Sequence, residues 1–264
     1  MYKINNIAFE TYGIIPGRAT GSNLALSGFL DMPERMGKTF HSWGDEHGIE
    51  PYVAASQIKY GGRDLVFKGY LNAVSTTELH TKVQTIINAF NAFDDLVDLE
   101  TNWGTFQVFI KERIKVNHIS GGNAHITIVF REPSPINSTL APTGSATGVY
   151  TIDGVTFESL GAFVQETANN FDRPPIKDQA YPTQITFTKE LEFTVKMIFH
   201  ATNFAQLKNN VEKMQALLAA PGLRNINVDT VARNCFNTKG FKIDALKNIE
   251  NKFVCRMVLP MQQI

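Results

Sequence analysis

Cysteine is scarce: Cys235 and Cys255 are the only two, too few for a disulfide framework and without metal-type spacing. They read as half-buried thiols of a protein folded under reducing conditions. An excess of one charge is also missing. The 25 basic and 25 acidic residues leave a formal net charge of zero, with no polybasic run, and a free-standing nucleic-acid binder normally carries a basic excess. No stretch approaches the roughly 20 apolar residues a spanning helix needs, so no membrane-spanning segment is expected. Met1–Asn6 has no apolar core of the kind a secretory signal carries. The Gly-x-Ser-x-Gly elbow, the Walker loop and the dinucleotide loop are all absent. No catalytic constellation emerges, so the chain reads as a non-enzyme with no cofactor.

What is present is enough apolar residue, 43%, to build real cores. A length of 264 residues suits one large or two ordinary domains. The clearest stretch runs from Leu65 to Leu99. Leu65 and Phe67 open an alternating strand, and Ser75, Thr76 or Thr77 can cap a helix after it. Thr76 is followed three residues on by Leu79, so no full capping box is expected. Leu79, Val83, Ile86, Ile87, Phe90 and Phe93 fall on one stripe of a 3.6-residue period. Val97–Leu99 then resumes alternation.

Around this stretch the chain reads as mainly antiparallel strands. Tyr2–Phe9 is a strand–turn–strand opening, with Asn5-Asn6 as the turn. Residues 14–59 are a loose excursion punctuated by Gly and Pro. After Leu99, Phe106–Ile110, Ile114–Val116 and Ala124–Phe130 alternate as strands. Pro133–Gly148 has no periodicity and reads as a linker.

At Tyr150 the same grammar restarts. Tyr150–Gly161 lies on Tyr2–Gly13 without a gap, with Asp153-Gly154 replacing the Asn5-Asn6 turn. Leu191-Glu192-Phe193 matches Leu65-Val66-Phe67, and Leu207, Val211, Met214 and Leu218 match Leu79, Val83, Ile86 and Phe90. Ile226–Val228 matches Val97–Leu99, and Phe253–Leu259 matches Ala124–Phe130. The copies differ chiefly in the excursion, which is longer in the first. The expected fold class is therefore α+β, mainly antiparallel β, with two tandem β-sandwich or barrel-like domains, each with one packed helix. The expected boundaries are 1–135 with a long loop at 14–59, a linker at 136–148, and 149–264.

One stretch has the residue types of a site. His41, Asp45, Glu46 and His47 could ligate zinc, but no second cluster completes such a site, and no metal is expected. The same segment holds Phe40, Trp43 and Tyr52, with Arg35 just before it. Aromatics and Arg in an irregular extension are what subunit interfaces use. Arg35, Phe40, His41, Trp43, Asp45, His47 and Tyr52 are thus the candidate subunit-interface loop, a plain surface loop being the competing reading. Asp94, Asp95, Asp98 and Glu100 cluster after the helix without a nearby nucleophile or His, and read as a solvated loop. His125 and His200 read as ordinary strand residues.

The residues Tyr2–Phe9, Leu30-Asp31-Met32-Pro33-Glu34-Arg35, His41–Asp45, and the Leu65 strand leading into the Leu79–Phe93 helix carry a resemblance. In this order the chain resembles bacteriophage tail proteins of the tail-tube-like fold, of the distal tail or baseplate hub type. The second copy has only Phe171-Asp172-Arg173-Pro174-Pro175 in the loop region, so its partner surface departs from the pattern. The resemblance implies a structural protein of the tail tip, assembled in the host cytoplasm and carried in the virion. It implies self-association into a ring, as a trimer or a hexamer, with tail tube, hub and fibre proteins as neighbours. DNA would pass the lumen without specific binding, which a zero net charge permits. The competing reading of the residues is a carbohydrate-binding or adhesin β-sandwich with an exposed Trp.

Overall fold

The computed structural model describes residues 1–37, 58–135, 140–170 and 191–263, with backbone alone at 168–170 and 191. The first strands are β1 (Lys3–Ile4), β2 (Ile7–Ala8), β3 (Ile14–Pro16), β4 (Leu26–Ser27), β5 (Arg35–Met36), β6 (Lys59–Tyr60) and β7 (Arg63–Asn72). Helix α1 (Thr76–Asn91) follows, then β8 (Val97–Thr101), β9 (Gly104–Ile110), β10 (Lys115–Ser120) and β11 (Asn123–Glu132). After the linker come β12 (Thr151–Ile152), β13 (Val155–Thr156), β14 (Ala162–Asn170) and β15 (Leu191–Ala201). Helix α2 (Phe204–Ala219) precedes β16 (Arg224–Val228), β17 (Val231–Phe236), β18 (Lys242–Ile249) and β19 (Lys252–Gln263). The fold is mostly antiparallel β with two helices.

The chain divides into two compact units. The first holds Met1–Asp31, Gly62–Pro135 and Asp244–Asn251; the second holds Met32–Gly61, Ile136–Ile243 and Lys252–Ile264. Residues 32–61 fall in the second unit and residues 244–251 in the first, so the division differs from the single boundary expected at 136–148.

In the first unit the strand order is β2-β1-β8-β9-β11-β7-β3, with β10 on β11 and β4 on β7. In the second it is β13-β12-β16-β17-β19-β15-β14, with β18 on β19. The opening turns are built alike. Asn5 and Asn6 sit at φ 48° and 66°, and Asp153 and Gly154 at 50° and 74°, the left-handed pair a two-residue hairpin turn requires. In each sheet one central ladder is short. β9 pairs with β11 only at Ile110–Phe130 and Phe109–Arg131, and β17 with β19 only at Cys235–Gln263 and Phe236–Gln262. The long β7–β11 and β15–β19 ladders carry the rest.

The helices start where their capping residues dictate. Ser75 Oγ accepts from Glu78 N (3.2 Å), and Glu78 Oε2 accepts from Val74 N (2.8 Å). Ser75 and Glu78 thus cap α1 reciprocally, in a variant of the capping box in which Glu78 reaches one residue past the Ser75 amide; the sequence reading expected no box. Asn203 and Gln206 repeat the device on α2, with Gln206 N donating to Asn203 Oδ1 at 2.9 Å. Leu79, Ile86 and Phe90 of α1 are buried, and Val83, Ile87 and Phe93 half-buried. Phe90 meets Phe9 at 6.4 Å between ring centroids, and Phe9 meets Phe67 edge-on at 4.8 Å. Burying such rings stabilises a unit by about 1.5–3 kcal/mol each. In the second unit Leu207, Val211, Met214 and Leu218 fill the same role beside Phe157, Phe193 and Phe199.

Both cysteines are fully buried, more than the half-burial the sequence suggested. Burial pushes the Cys235 thiol up to about 12, with Arg233 nearby opposing it weakly. Among the described residues, no helix is long and apolar enough to cross a membrane.

Candidate functional site

Of the seven residues expected at a subunit interface, the structure describes Arg35. Phe40, His41, Trp43, Asp45, His47 and Tyr52 lie outside the described residues, as does the His41–His47 cluster considered for zinc. Among the described residues, no group of three or more His, Cys, Asp or Glu side chains is placed to hold a metal ion.

What the structure defines is the foot of the excursion and its seat. Arg35 lies in β5 and pairs with Tyr60 of β6, while Met36 pairs with Lys59. Gly61 N adds a bond to Glu34 O (3.0 Å). β5 and β6, which flank residues 38–57 in the sequence, therefore form a two-stranded antiparallel stalk, whose strands lie about 5 Å apart.

The stalk is seated within the second unit. Met32 and Phe241 exchange backbone bonds of 3.0 and 3.1 Å, and Arg35 N donates to Thr238 O at 2.7 Å. Met32 is 2% exposed. The seat is the turn after β17, and Asn237 shapes it. Asn237 Nδ2 donates to Gly240 O (2.9 Å) and Pro260 O (2.7 Å), and its Oδ1 accepts from Gly240 N (2.8 Å). This side chain is fully buried yet satisfied, the condition under which a polar core residue fixes a conformation. Gly240 has φ +65°, and a Cβ there would fall 2.0 Å from Met32 O and 2.5 Å from Pro33 O. Only glycine accommodates both the backbone angle and the close approach.

The electrostatics point at the carboxyl end of α2. Arg35 Nη2 donates to Leu218 O (3.0 Å), one of the last carbonyls a helix leaves unpaired. Arg224 Nη2 donates to Pro221 O (2.6 Å), and its Nη1 pairs with Asp153 (2.7 Å). Two guanidinium groups thus meet the negative pole of α2. Tyr60 lies among them. Burial raises its phenol above the ordinary tyrosine value, and Arg35 and Arg224 offset part of that rise.

This arrangement holds and orients a chain segment. Sequence reasoning picked out Arg35 as an interface residue and named Met32 only among the residues that carry the resemblance; it missed Tyr60, Asn237 and Gly240. The Asn237-x-x-Gly240 spacing, a turn signature, was the available signal.

No protein-family model matches the sequence, and no curated protein matches it. Among solved structures the chain is similar to the Dit protein (gp 19.1) of phage SPP1, described as a paradigm of the hub adsorption apparatus in phages infecting Gram-positive bacteria. The match spans 100% of this chain and 99% of that one, at 11% identity and a TM-score of 0.39. A likeness of that degree is too loose to assign a fold or a function.

Proposed function

We propose that the chain is a structural protein of a phage or phage-like tail tip. In this reading it forms a ring that joins the tail tube to baseplate and fibre parts and surrounds the DNA channel. The two units are copies of one duplicated tail-tube-like domain. The ring closes as a trimer of two-unit chains or as a hexamer, since closed symmetry leaves no interface unpaired. The excursion at 38–57, with Trp43 and its neighbours, is the gripping element, and Arg35 works at its foot.

One observation carries the reading. The element order on which the resemblance to tail proteins rests occurs in both units: opening hairpin, long strand, helix, strand pair and final strand. The stalked excursion is attached to one of them. A binding module has no need of two such units, whereas a ring component uses both as wall segments.

The test replaces residues 38–57 by Asn-Gly, a two-residue hairpin turn that leaves the stalk and its seat intact. Sedimentation velocity should show the native chain as a defined oligomer. The variant should keep the native circular dichroism and melting but sediment as a monomer or a smaller species. Unchanged assembly in a folded variant would remove the gripping role from this loop.

A further inference from the structure

The ladder registers place the two units residue against residue. Ile4 pairs with Leu99 as Ile152 pairs with Ile226. Val97 pairs with Val108 as Arg224 pairs with Cys235. Arg131 pairs with Phe109 as Gln262 pairs with Phe236. The carboxyl end of α1 and the turn after β9 therefore occupy, in the first unit, the place that the α2 end and the Asn237–Gly240 turn occupy in the second.

These equivalent places are filled differently. In the second unit the seat holds Met32–Arg35, and Phe236 is 1% exposed. In the first, the place is an open groove of about 610 Å³, and its Phe109 is 42% exposed. Phe93 and Leu96 line it beside Asp94, Asp95, Glu112 and Arg113. Glu112 is paired with Lys115 at 3.3 Å, so Asp94 and Asp95 form the acidic edge of the groove, with Arg113 as the cation in its lining. The negative pole of α1 adds to this, since the last turn of α1 carries no basic residue. No ion pair joins Asp94 or Asp95 to a cation among the described residues, and Asp95 accepts from Leu96 N.

We propose that this groove is the seat for residues 171–175 of a second copy of the chain, docked as Met32–Arg35 docks on the second unit. Two features select that occupant. Leu30-Asp31-Met32-Pro33 and Phe171-Asp172-Arg173-Pro174 share the pattern apolar-Asp-x-Pro at the same point of each half. From Phe171 to Lys177 two cations, Arg173 and Lys177, stand against one acid, Asp172, so the stretch offers its cations to the acidic edge of the groove. The contact joins different patches on the two chains, so it propagates from chain to chain and gives a ring when the rotation between neighbours closes. The proposal rests on the self-assembling reading above and names the contact by which it proceeds.

The experiment mixes two single variants of the full chain, Arg113→Cys and Pro175→Cys, and adds a short bismaleimide. The native thiols are fully buried and give no background. The mixture should yield a covalent pair that neither variant yields alone. Adding Asp94→Asn and Asp95→Asn to the first variant should cut the yield about fivefold, with Asp94→Glu restoring most of it. An unchanged yield would overturn the charge match. Circular dichroism and melting of each variant check that the fold is kept. Oligomers that assemble while the bismaleimide gives no covalent pair overturn this docking and leave the ring reading standing. A double variant that links only within one chain overturns it as well. Protection of Arg113→Cys only on adding another tail protein gives the groove to that partner. A chain that stays monomeric and unlinked at every concentration overturns both.

Discussion

Gly240 and Asn237 decide whether the excursion can be seated. A methyl at position 240 meets the Met32 and Pro33 carbonyls, so Gly240→Ala should lower stability by about 1–3 kcal/mol. Asn237→Ala strands the Gly240 amide and the Pro260 carbonyl, and should cost a similar amount, about 1–3 kcal/mol. Urea unfolding monitored by circular dichroism measures both; losses within experimental error would mean the seat is not formed this way. Asp64 supplies a pH signature. Burial pushes its carboxyl up, but bonds from Lys111 and Arg131, both 2.6 Å, outweigh that and hold it below the ordinary value. A depressed carboxylate contributes stability that is present above its unfolded pKa and lost as pH falls through its folded pKa. Asp64→Asn should therefore flatten the fall in stability between neutral pH and the acid range, and an unchanged acid limb would refute the assignment. Cys235 and Cys255 should react with a thiol reagent at pH 8 only after denaturation, because both are buried and the Cys235 thiolate is disfavoured.

At the scale of elements, the helices hold each unit together and their starts are testable. Ser75→Ala and Asn203→Ala each remove a cap and should each cost about 1 kcal/mol, read as a shift in urea midpoint at constant slope. The helices were also the most legible part of the sequence. Leu79, Val83, Ile86 and Phe90 match Leu207, Val211, Met214 and Leu218, and the structure keeps the two sets at corresponding places in α1 and α2. The strand matches slipped. The sequence set Leu65 against Leu191, whereas the registers set it against Phe193: Leu65 faces Phe130, and Phe193 faces Met261. Val97 was set against Ile226, whose counterpart by pairing is Leu99. Each slip is two residues. A period of two cannot detect it, because a two-residue shift leaves every side chain on its own face, whereas a helical stripe fixes its register through uneven 3- and 4-residue steps. The seat was less legible for a different reason. Asn237 shapes the turn in which Gly240 closely approaches Met32 and Pro33, far away in sequence, and no local pattern records a contact of that range.

Across the whole molecule, the chain crosses between its units more than once. Residues 32–61 belong to the second unit and residues 244–251 to the first. Ser22 Oγ donates to Leu246 O, and Asn23 exchanges bonds with Asn248, its Oδ1 accepting from Asn248 N at 2.8 Å. Fragments 1–135 and 149–264 should therefore fold poorly apart, each lacking a segment its unit uses. Co-expression should restore a soluble complex; two independently stable fragments, by melting and proton NMR, would count against this exchange. The central claim is that two equivalent units make each chain a double wall segment of a tail ring. Electron microscopy of the purified full-length protein tests it most directly. The account predicts class averages of rings with fixed symmetry and an axial channel, counting three or six chains. Single particles of one-chain mass at every concentration would contradict it.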